Sequence, residues 1–403
     1  MPAPIILSHS SKNRASRTAI LHLCPELEPC DPGRETLDLA IQTQRSGLGW
    51  RTLIASSGGR LVKESERAAV RHKKIPLNGR GSFSAWRARM QLESLIQREQ
   101  PSLIHAHGAE TFPIAFAMSR VRRMPLVVDL TQPLPDKPRL RRLMAQVNFT
   151  PCAIRVASEY IGWQLQEQYQ VEPERLYHIP PGVDLQLLGA GFISPERLHS
   201  LSALWRLPEQ ASIILAPMPL APNLGHRVFL EALASIRDEH VFAVLVGHDR
   251  QSPGMRGEIE KMIAQLDLNG KVIMPEYCPD LPAACWLTNV VVAVNTEPRG
   301  LNPELLAAQA IGRPVIVSDV GANREMVLSG ETAWVVPPED VAALAAAMRE
   351  AARLNTSQHL DIAERSHNFI AGRFPHDAWL HGMTELYESM LRPARTQMKA
   401  KVA

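Results

Sequence analysis

At 403 residues, with 45% hydrophobic and 21% charged side chains, the chain is long enough for two ordinary domains and too apolar to be disordered. A formal net charge of +3 gives no argument for nucleic acid, so no nucleic-acid partner is expected, and no apolar run approaches the length that spans a bilayer. The five cysteines (Cys24, Cys30, Cys152, Cys278, Cys285) lack paired metal-ligand spacing, and no signal-peptide apolar region opens the chain, which points to a reducing cytoplasm.

Residues 1–17 are polar and basic and read as frayed. A first strand over 19–23 leads into a Pro-rich loop, a helix over 35–46 and a stop at Gly47-Leu-Gly49. Residues 51–56 form a second strand before the turn Ser57-Gly-Gly-Arg60, with a helix over 61–70 and a short strand over 74–77 after it. Apolar spacing at Trp86, Met90, Leu92, Leu95 and Ile96 predicts a helix over 84–99. Strands at 103–107, 126–130 and 154–157 follow, then a helix from Glu159. Periodicity weakens over 185–210, which reads as an inter-domain connection. A second alternating series follows, with strands at 212–216, 243–246, 271–274 and 290–294 and helices near 226–238 and 256–266. A strand at 333–336, a helix starting near Pro338 and a helix ending at Leu391 precede a tail holding Lys399 and Lys401. Strand–helix alternation at this spacing predicts parallel, doubly wound α/β sheets, whose strand carboxyl ends are where ligands bind.

The stretch 296–319 is the most informative. Asn302 is a good N-cap and Pro303 sits at the first helical position, where its missing N–H costs nothing. Gly312 ends the helix in a left-handed conformation, Pro314 blocks continuation, and Val315-Ile-Val317 reads as a buried strand. A loop entering a helix N-terminus beside such a strand is a natural anion site, through free backbone N–H groups and the helix dipole.

A set of short motifs in fixed order adds a family. They are Ser56-Ser-Gly-Gly-Arg60, Ser102-Leu-Ile-His-Ala-His-Gly108, Val156-Ala-Ser-Glu159, Pro180-Pro-Gly-Val-Asp184, Glu297-Pro-Arg-Gly300, the run from Gly312 to Gly321, Gly330-Glu-Thr332, Val336-Pro-Pro338, Phe374-Pro375 and Leu386-Tyr387. In order and spacing the chain resembles a family 4 glycosyltransferase of the GT-B fold over roughly 18–391. The resemblance implies two doubly wound Rossmann-like domains facing a central cleft: an acceptor-side domain at 18–190, a nucleotide-sugar-binding domain at 205–375, and a last helix at 376–391 crossing back to the first domain. It also implies retaining transfer from a nucleoside-diphosphate sugar, the donor substrate, to a glycan or lipid-linked acceptor, in surface polysaccharide or lipopolysaccharide assembly. No cofactor or metal is expected. The clusters Arg71-His-Lys-Lys74, Arg122-Arg123 and Arg139-Leu-Arg-Arg142 are solvated faces or, on this reading, peripheral contacts with the inner membrane face.

On that resemblance Glu297 is the acid that binds the donor sugar's hydroxyls, and Arg34, Arg299, Gly300, Leu301, Asn302 and Glu304 line the donor, with Gly247 on its base and ribose side. His105 and His107 read either as structural or as groups that orient the acceptor or move a proton, and His107 is the candidate carried forward. Four positions depart from the family pattern. Pro219 and Leu224 stand where an Arg and a Lys grasp the diphosphate. Leu305 or, on the alternative count, Ala307 stands at the second acid; that alternative puts Arg299 at the first. Thr131 takes the place of a first-domain His, and Cys30-Asp-Pro-Gly33 replaces a Gly-Gly turn. Two readings follow: an active glycosyltransferase, or a glycosyltransferase-derived scaffold or sugar-binding partner without catalysis. A nucleotide-sugar epimerase of the same fold is a further enzyme reading.

Overall fold

The computed structural model describes residues 18–29, 32–79, 81–188, 193–250 and 252–392. The stretch before residue 18, Cys30 and Asp31, residues 189–192 of the polar connection and the tail at 399–401 lie outside the described residues. The chain divides into two compact units: one up to Pro180 and again from Asp377, the other Pro181–His376.

The first unit contains β1 (Ala19–Leu23), α1 (Gly33–Arg45), β2 (Arg51–Ser56), α2 (Val62–Arg67), β3 (Arg71–Lys74), α3 (Ser82–Glu99), β4 (Leu103–His107) and α4 (Phe112–Arg122). It continues with β5 (Leu126–Leu130), α5 (Pro138–Ala145), β6 (Cys152–Val156), α6 (Glu159–Tyr169) and β7 (Leu176–His178). The second unit opens with α7 (Leu185–Leu188) and α8 (Pro195–Trp205), then β8 (Ser212–Pro217), α9 (His226–Ser235), β9 (Val241–Val246), α10 (Met255–Gln265) and β10 (Val272–Ile273). It is completed by α11 (Leu281–Leu287), β11 (Val290–Ala293), α12 (Pro303–Ala310), β12 (Val315–Ser318), β13 (Ala333–Val336), α13 (Val341–Ala352) and α14 (Thr356–Arg373). The last helix, α15 (His376–Leu391), belongs with the first unit from Asp377 onward.

Both sheets are parallel and wound the same way. The first runs β3-β2-β1-β4-β5-β6-β7 and the second β10-β9-β8-β11-β12-β13. Each therefore reverses its winding between its first and fourth strands, β1 and β4 or β8 and β11, and the carboxyl ends of the strands at such a switch point are where ligands bind in sheets of this kind. Every residue of β1, β4, β5 and β6 is buried, as expected for strands covered on both faces. Alternation divides the cover. Leu21, Ile104, Val128 and Ile154 pack with α3, α4 and α6 residues on one face. Ile20, Leu103, Val127 and Ala153 pack under Trp379, Met383, Leu386 and Tyr387 of α15 on the other.

Several element predictions shift. The strand expected at 74–77 is instead the charged Arg71–Lys74; Pro76 has no N–H to give a ladder, and the charged residues blunt a sheet edge against further pairing. The polar stretch 185–210 holds α7 and α8 rather than an open connection, and α8 starts on a Ser194 cap with Pro195 at its first position. The helix expected from Pro338 starts at Val341, because Asp340 is its N-cap and accepts from the Ala343 N–H at 2.8 Å, while Glu339 sits outside at φ +63°. Helices α4, α5 and α11 have no counterpart in the sequence reading.

Candidate functional site

In the second unit the loops after β8 and β11 flank the switch point and are tied to each other. The Thr296 N–H donates to the Asn223 carbonyl at 3.0 Å, its hydroxyl to the same oxygen at 3.1 Å, and the Asn223 side-chain amide donates to Glu297 Oε1 at 2.7 Å. Asn223 and Gly225 both take positive φ, +66° and +78°, to make this turn. Pro219 is exposed and accepts through its carbonyl from His226 Nε2 at 2.9 Å, whereas Leu224 is buried in the turn. Gly247 directly follows β9, and a Cβ there would lie 2.0 Å from the Met218 carbonyl oxygen just after β8, so the two chain segments meet backbone to backbone.

Arg299 follows β11 with its backbone held by Gly321, whose Cβ would fall 2.4 Å from the Arg299 carbonyl oxygen, and by the Ala322 N–H that donates to that oxygen at 2.9 Å. Its guanidinium is half-buried and makes no hydrogen bond or ion pair among the described residues. Burial holds its pKa below the usual arginine value, with Glu297 nearby opposing the shift; the group stays cationic at any physiological pH. By contrast Arg324, on the neighbouring loop, is engaged with Asp319 at 2.5 and 2.6 Å.

The cap of α12 is as expected, but its consequence is not. Asn302 Oδ1 accepts from the N–H groups of Glu304 at 2.9 Å and Leu305 at 3.2 Å, the Leu306 N–H goes to the Asn302 carbonyl at 3.2 Å, and Pro303 has none. The Asn302 N–H donates to Met326 Sδ at 3.0 Å. The free N–H groups expected of the 302–305 turn are therefore already used. An anion here gains the helix dipole, and gains N–H donors only by displacing the Asn302 amide. Gly300 and Leu301 are buried between Arg299 and this cap, and Glu304 is half-buried in the first turn. Gly312 ends the helix at φ +87°, as read from the sequence.

The remaining candidates lie in the first unit. Arg34 is half-buried against Asp38 at 2.7 Å and Glu64 at 2.6 Å. Burial alone would lower its pKa, but those two carboxylates outweigh it and raise it, so this guanidinium is committed to a surface ion-pair network. Thr131 is half-buried directly after β5. His107 ends β4 and is buried, facing inward rather than presenting a ring to solvent.

What surrounds His107 is a row of polar groups that the sequence reading missed apart from the two histidines of β4. Parallel register aligns His22 with His105, His107 with Asp129, and Asp129 with Arg155. Alternation puts them on the α15 face of the sheet. His22 Nδ1 and His107 Nε2 are 3.0 Å apart, His105 Nδ1 meets the Tyr387 hydroxyl at 2.7 Å, and His107 Nδ1 faces Asp129 Oδ2 at 3.5 Å. Arg155, with no exposed side-chain surface, donates to both Asp129 oxygens at 2.8 and 2.9 Å, to the Ile179 carbonyl at 2.6 Å, and lies 2.8 Å from Glu35 Oε1. Burial works to raise the Asp129 pKa, but the Arg155 cation prevails and holds the carboxyl below its usual value. Burial lowers His22 and His105 well below the ordinary imidazole range, in both cases reinforced by His107. The available signal was a polar residue inside each of four otherwise apolar strands.

Two parallel sheets with the same reversed winding, each presenting its strand carboxyl ends at a switch point, define a two-Rossmann-unit protein of the GT-B class. Solved structures agree. A glycosyltransferase from Rickettsia africae ESF-5 is 20% identical with a TM-score of 0.80, covering 94% of this chain and 99% of that one. Anabaena Alr3699/HepE in complex with UDP and glucose is 20% identical with a TM-score of 0.81, covering 92% and 99%. The family model described as Glycosyltransferase Family 4 matches residues 35–187, and that described as Glycosyl transferases group 1 matches residues 211–353. The chain belongs to the family 4 glycosyltransferases. Among curated proteins, the D-inositol 3-phosphate glycosyltransferase of Acidothermus cellulolyticus is 25% identical over 275 residues, 65% of this chain and 59% of the relative. The chain thus spans little more than half the length of that relative.

Proposed function

We propose that this protein transfers a sugar, with retention of anomeric configuration, from a nucleoside-diphosphate sugar to a glycan or lipid-linked acceptor, and that the donor binds at the switch point of the second sheet. One observation carries the reading: Arg299 is a half-buried cation with no ion pair among the described residues, on the loop that enters a capped helix at that switch point. A leaving diphosphate develops negative charge, and a preorganised guanidinium can stabilise it bidentately. In this reading Arg299 takes the work of the Arg and Lys replaced by Pro219 and Leu224, and no cofactor is called on. Glu297, exposed and oriented by Asn223, accepts from sugar hydroxyls. The α12 dipole adds attraction for the diphosphate, and Gly247 marks the base and ribose side of the donor site after β9. HepE, a protein of this fold, is solved in complex with UDP and glucose, which supports a nucleotide-sugar donor here.

The second reading, a scaffold without catalysis, is favoured by the same site's missing cations and by the N–H groups that Asn302 has already taken. Calorimetric titration with UDP, GDP and their sugars, followed by a turnover assay, separates the two. Under the enzyme reading nucleotide binds and turns over, and Arg299→Ala weakens it by about 10- to 100-fold, the equivalent of losing a charged hydrogen bond worth about 1.5–3 kcal/mol. Unchanged affinity in that variant removes Arg299 from the site, and no binding at millimolar nucleotide establishes the scaffold.

A further inference from the structure

The polar row under α15 contains nitrogens that the chain's own hydrogen bonds do not use. His22, His105 and His107 are at most 1% exposed, and one ring nitrogen of each lies within 4.8 Å of the other two. Three neutral imidazoles bring three N–H donors and three lone pairs. One contact joins His22 to His107 and one joins His105 to Tyr387, but His105 Nε2 remains buried without a hydrogen bond among the described residues. Buried polar atoms are nearly always paired, so such a group calls for a partner the polypeptide does not supply.

We propose that His22, His105 and His107 form a buried site for one first-row divalent cation of the zinc class. The donor set is right for it, since neutral imidazole suits zinc, cobalt and nickel. Neutral imidazole is the form that ligates. The groups behind the rings are those that orient metal-bound histidines. Tyr387 takes His105 Nδ1, leaving Nε2 as the ligand atom, and Asp129 faces His107 Nδ1, leaving Nε2 toward His22. Two nitrogens bound about 2 Å from one zinc ion at the tetrahedral angle stand roughly 3.3 Å apart. The 3.0 Å between His22 Nδ1 and His107 Nε2 is close to that, so the His105 nitrogen is the one that closes in. The charge also fits: Asp129 and Glu35 carry two negative charges beside the single positive charge of Arg155, so a dication enters a site that is net anionic. With all three rings enclosed, the ion would tie β1 to β4 at the first sheet's switch point as a structural element rather than a catalytic one.

The test uses the full chain, freed of any affinity tag, stripped with chelator and titrated with Co²⁺. The expected result is one equivalent bound with visible d–d absorption, bleached by equimolar Zn²⁺, and a raised melting temperature. Folded His22→Gln and His105→Gln variants lose the absorption, while replacement of the exposed His199 by Gln leaves it intact. X-ray absorption on the zinc-loaded wild-type protein shows three imidazole ligands, and decides the matter if the variants do not fold. No uptake by folded wild-type protein, undiminished binding in both folded variants, or a zinc shell without imidazole overturns the proposal. None of these readouts depends on transferase activity.

Discussion

A Cβ placed on Gly225 would lie 1.7 Å from the Val294 carbonyl oxygen, at a backbone φ of +78°. The obstacle is backbone, not the end of a flexible side chain, so the loop after β8 must move to admit any other residue. Gly225→Ala is therefore expected to cost at least about 2 kcal/mol, the left-handed penalty for a side chain plus the displacement. The same shift disturbs the Asn223 contacts that orient Glu297 and should weaken nucleotide binding with it. Gly257 is the control: it lies inside α10 with nothing within 4 Å of its Cβ, and alanine there should stabilise by up to about 1 kcal/mol. Urea midpoints of the two variants check both signs. At this scale the sequence was readable where a residue acts on its own neighbours. Asn302, Pro303 and Gly312 announced a capped and terminated helix, as the structure has it. Whether the cap would leave N–H groups for a ligand was not readable, because it depends on the rotamer of Asn302. The His22–His107 and Asp129–Arg155 contacts were hidden for another reason: they need the register of four strands, which no single motif encodes.

Among the elements, α8 was concealed by its polar composition although Ser194 and Pro195 carry the start signals of a helix. Helix α4 was concealed by the opposite property, an apolar run from Phe112 to Met118 with too little polar contrast to show a period. What holds α8 in place is tertiary. Arg197 donates from Nε and Nη2 to the two oxygens of Asp280 at 2.7 Å each, and Asp280 also caps α11 by accepting from the Ala283 N–H at 3.1 Å. Hydrogen bonds from Arg197 hold the Asp280 carboxyl below its usual range, against a smaller opposing effect of burial and with help from the Ala283 N–H. The sign follows. Because the folded pKa is depressed, the unfolded chain binds the proton more readily; the pair's stabilisation is present above an unfolded carboxyl pKa of about 3.9 and lost as pH falls through the folded value. Asp280→Asn keeps a capping oxygen but loses the charge. It should cost about 1 kcal/mol near neutral pH, a modest value because Arg197 is partly solvated. The gap between variant and wild-type urea midpoints should narrow steadily below about pH 4. A constant gap would mean that the loss comes from the cap and not from the ion pair.

For the molecule as a whole, alternation of strand and helix announced two parallel doubly wound sheets, as the structure has them, and the winding order adds the position of each switch point. Less visible was how much of the first unit's core comes from the far end of the chain. Trp379, Met383, Leu386 and Tyr387 of α15 are buried against Ile20, Leu103, Val127 and Ala153 of the sheet, and Tyr387 also reaches His105. Four side chains at roughly 1.5–3 kcal/mol each amount to roughly 6–12 kcal/mol, comparable with the entire stability of a domain. A chain ending at residue 375 should therefore lose the cooperative unfolding of the first unit while the second unit, whose core around Ile214, Phe229, Val292 and Leu344 contains no α15 residue, still melts as one. Hydrogen exchange resolved by segment reads the two units separately. The expected outcome is loss of protection in β1, β4, β5 and β6 with β8, β11 and β12 retained, and full protection of both sheets in the shortened chain would show that α15 contributes far less than its buried side chains indicate.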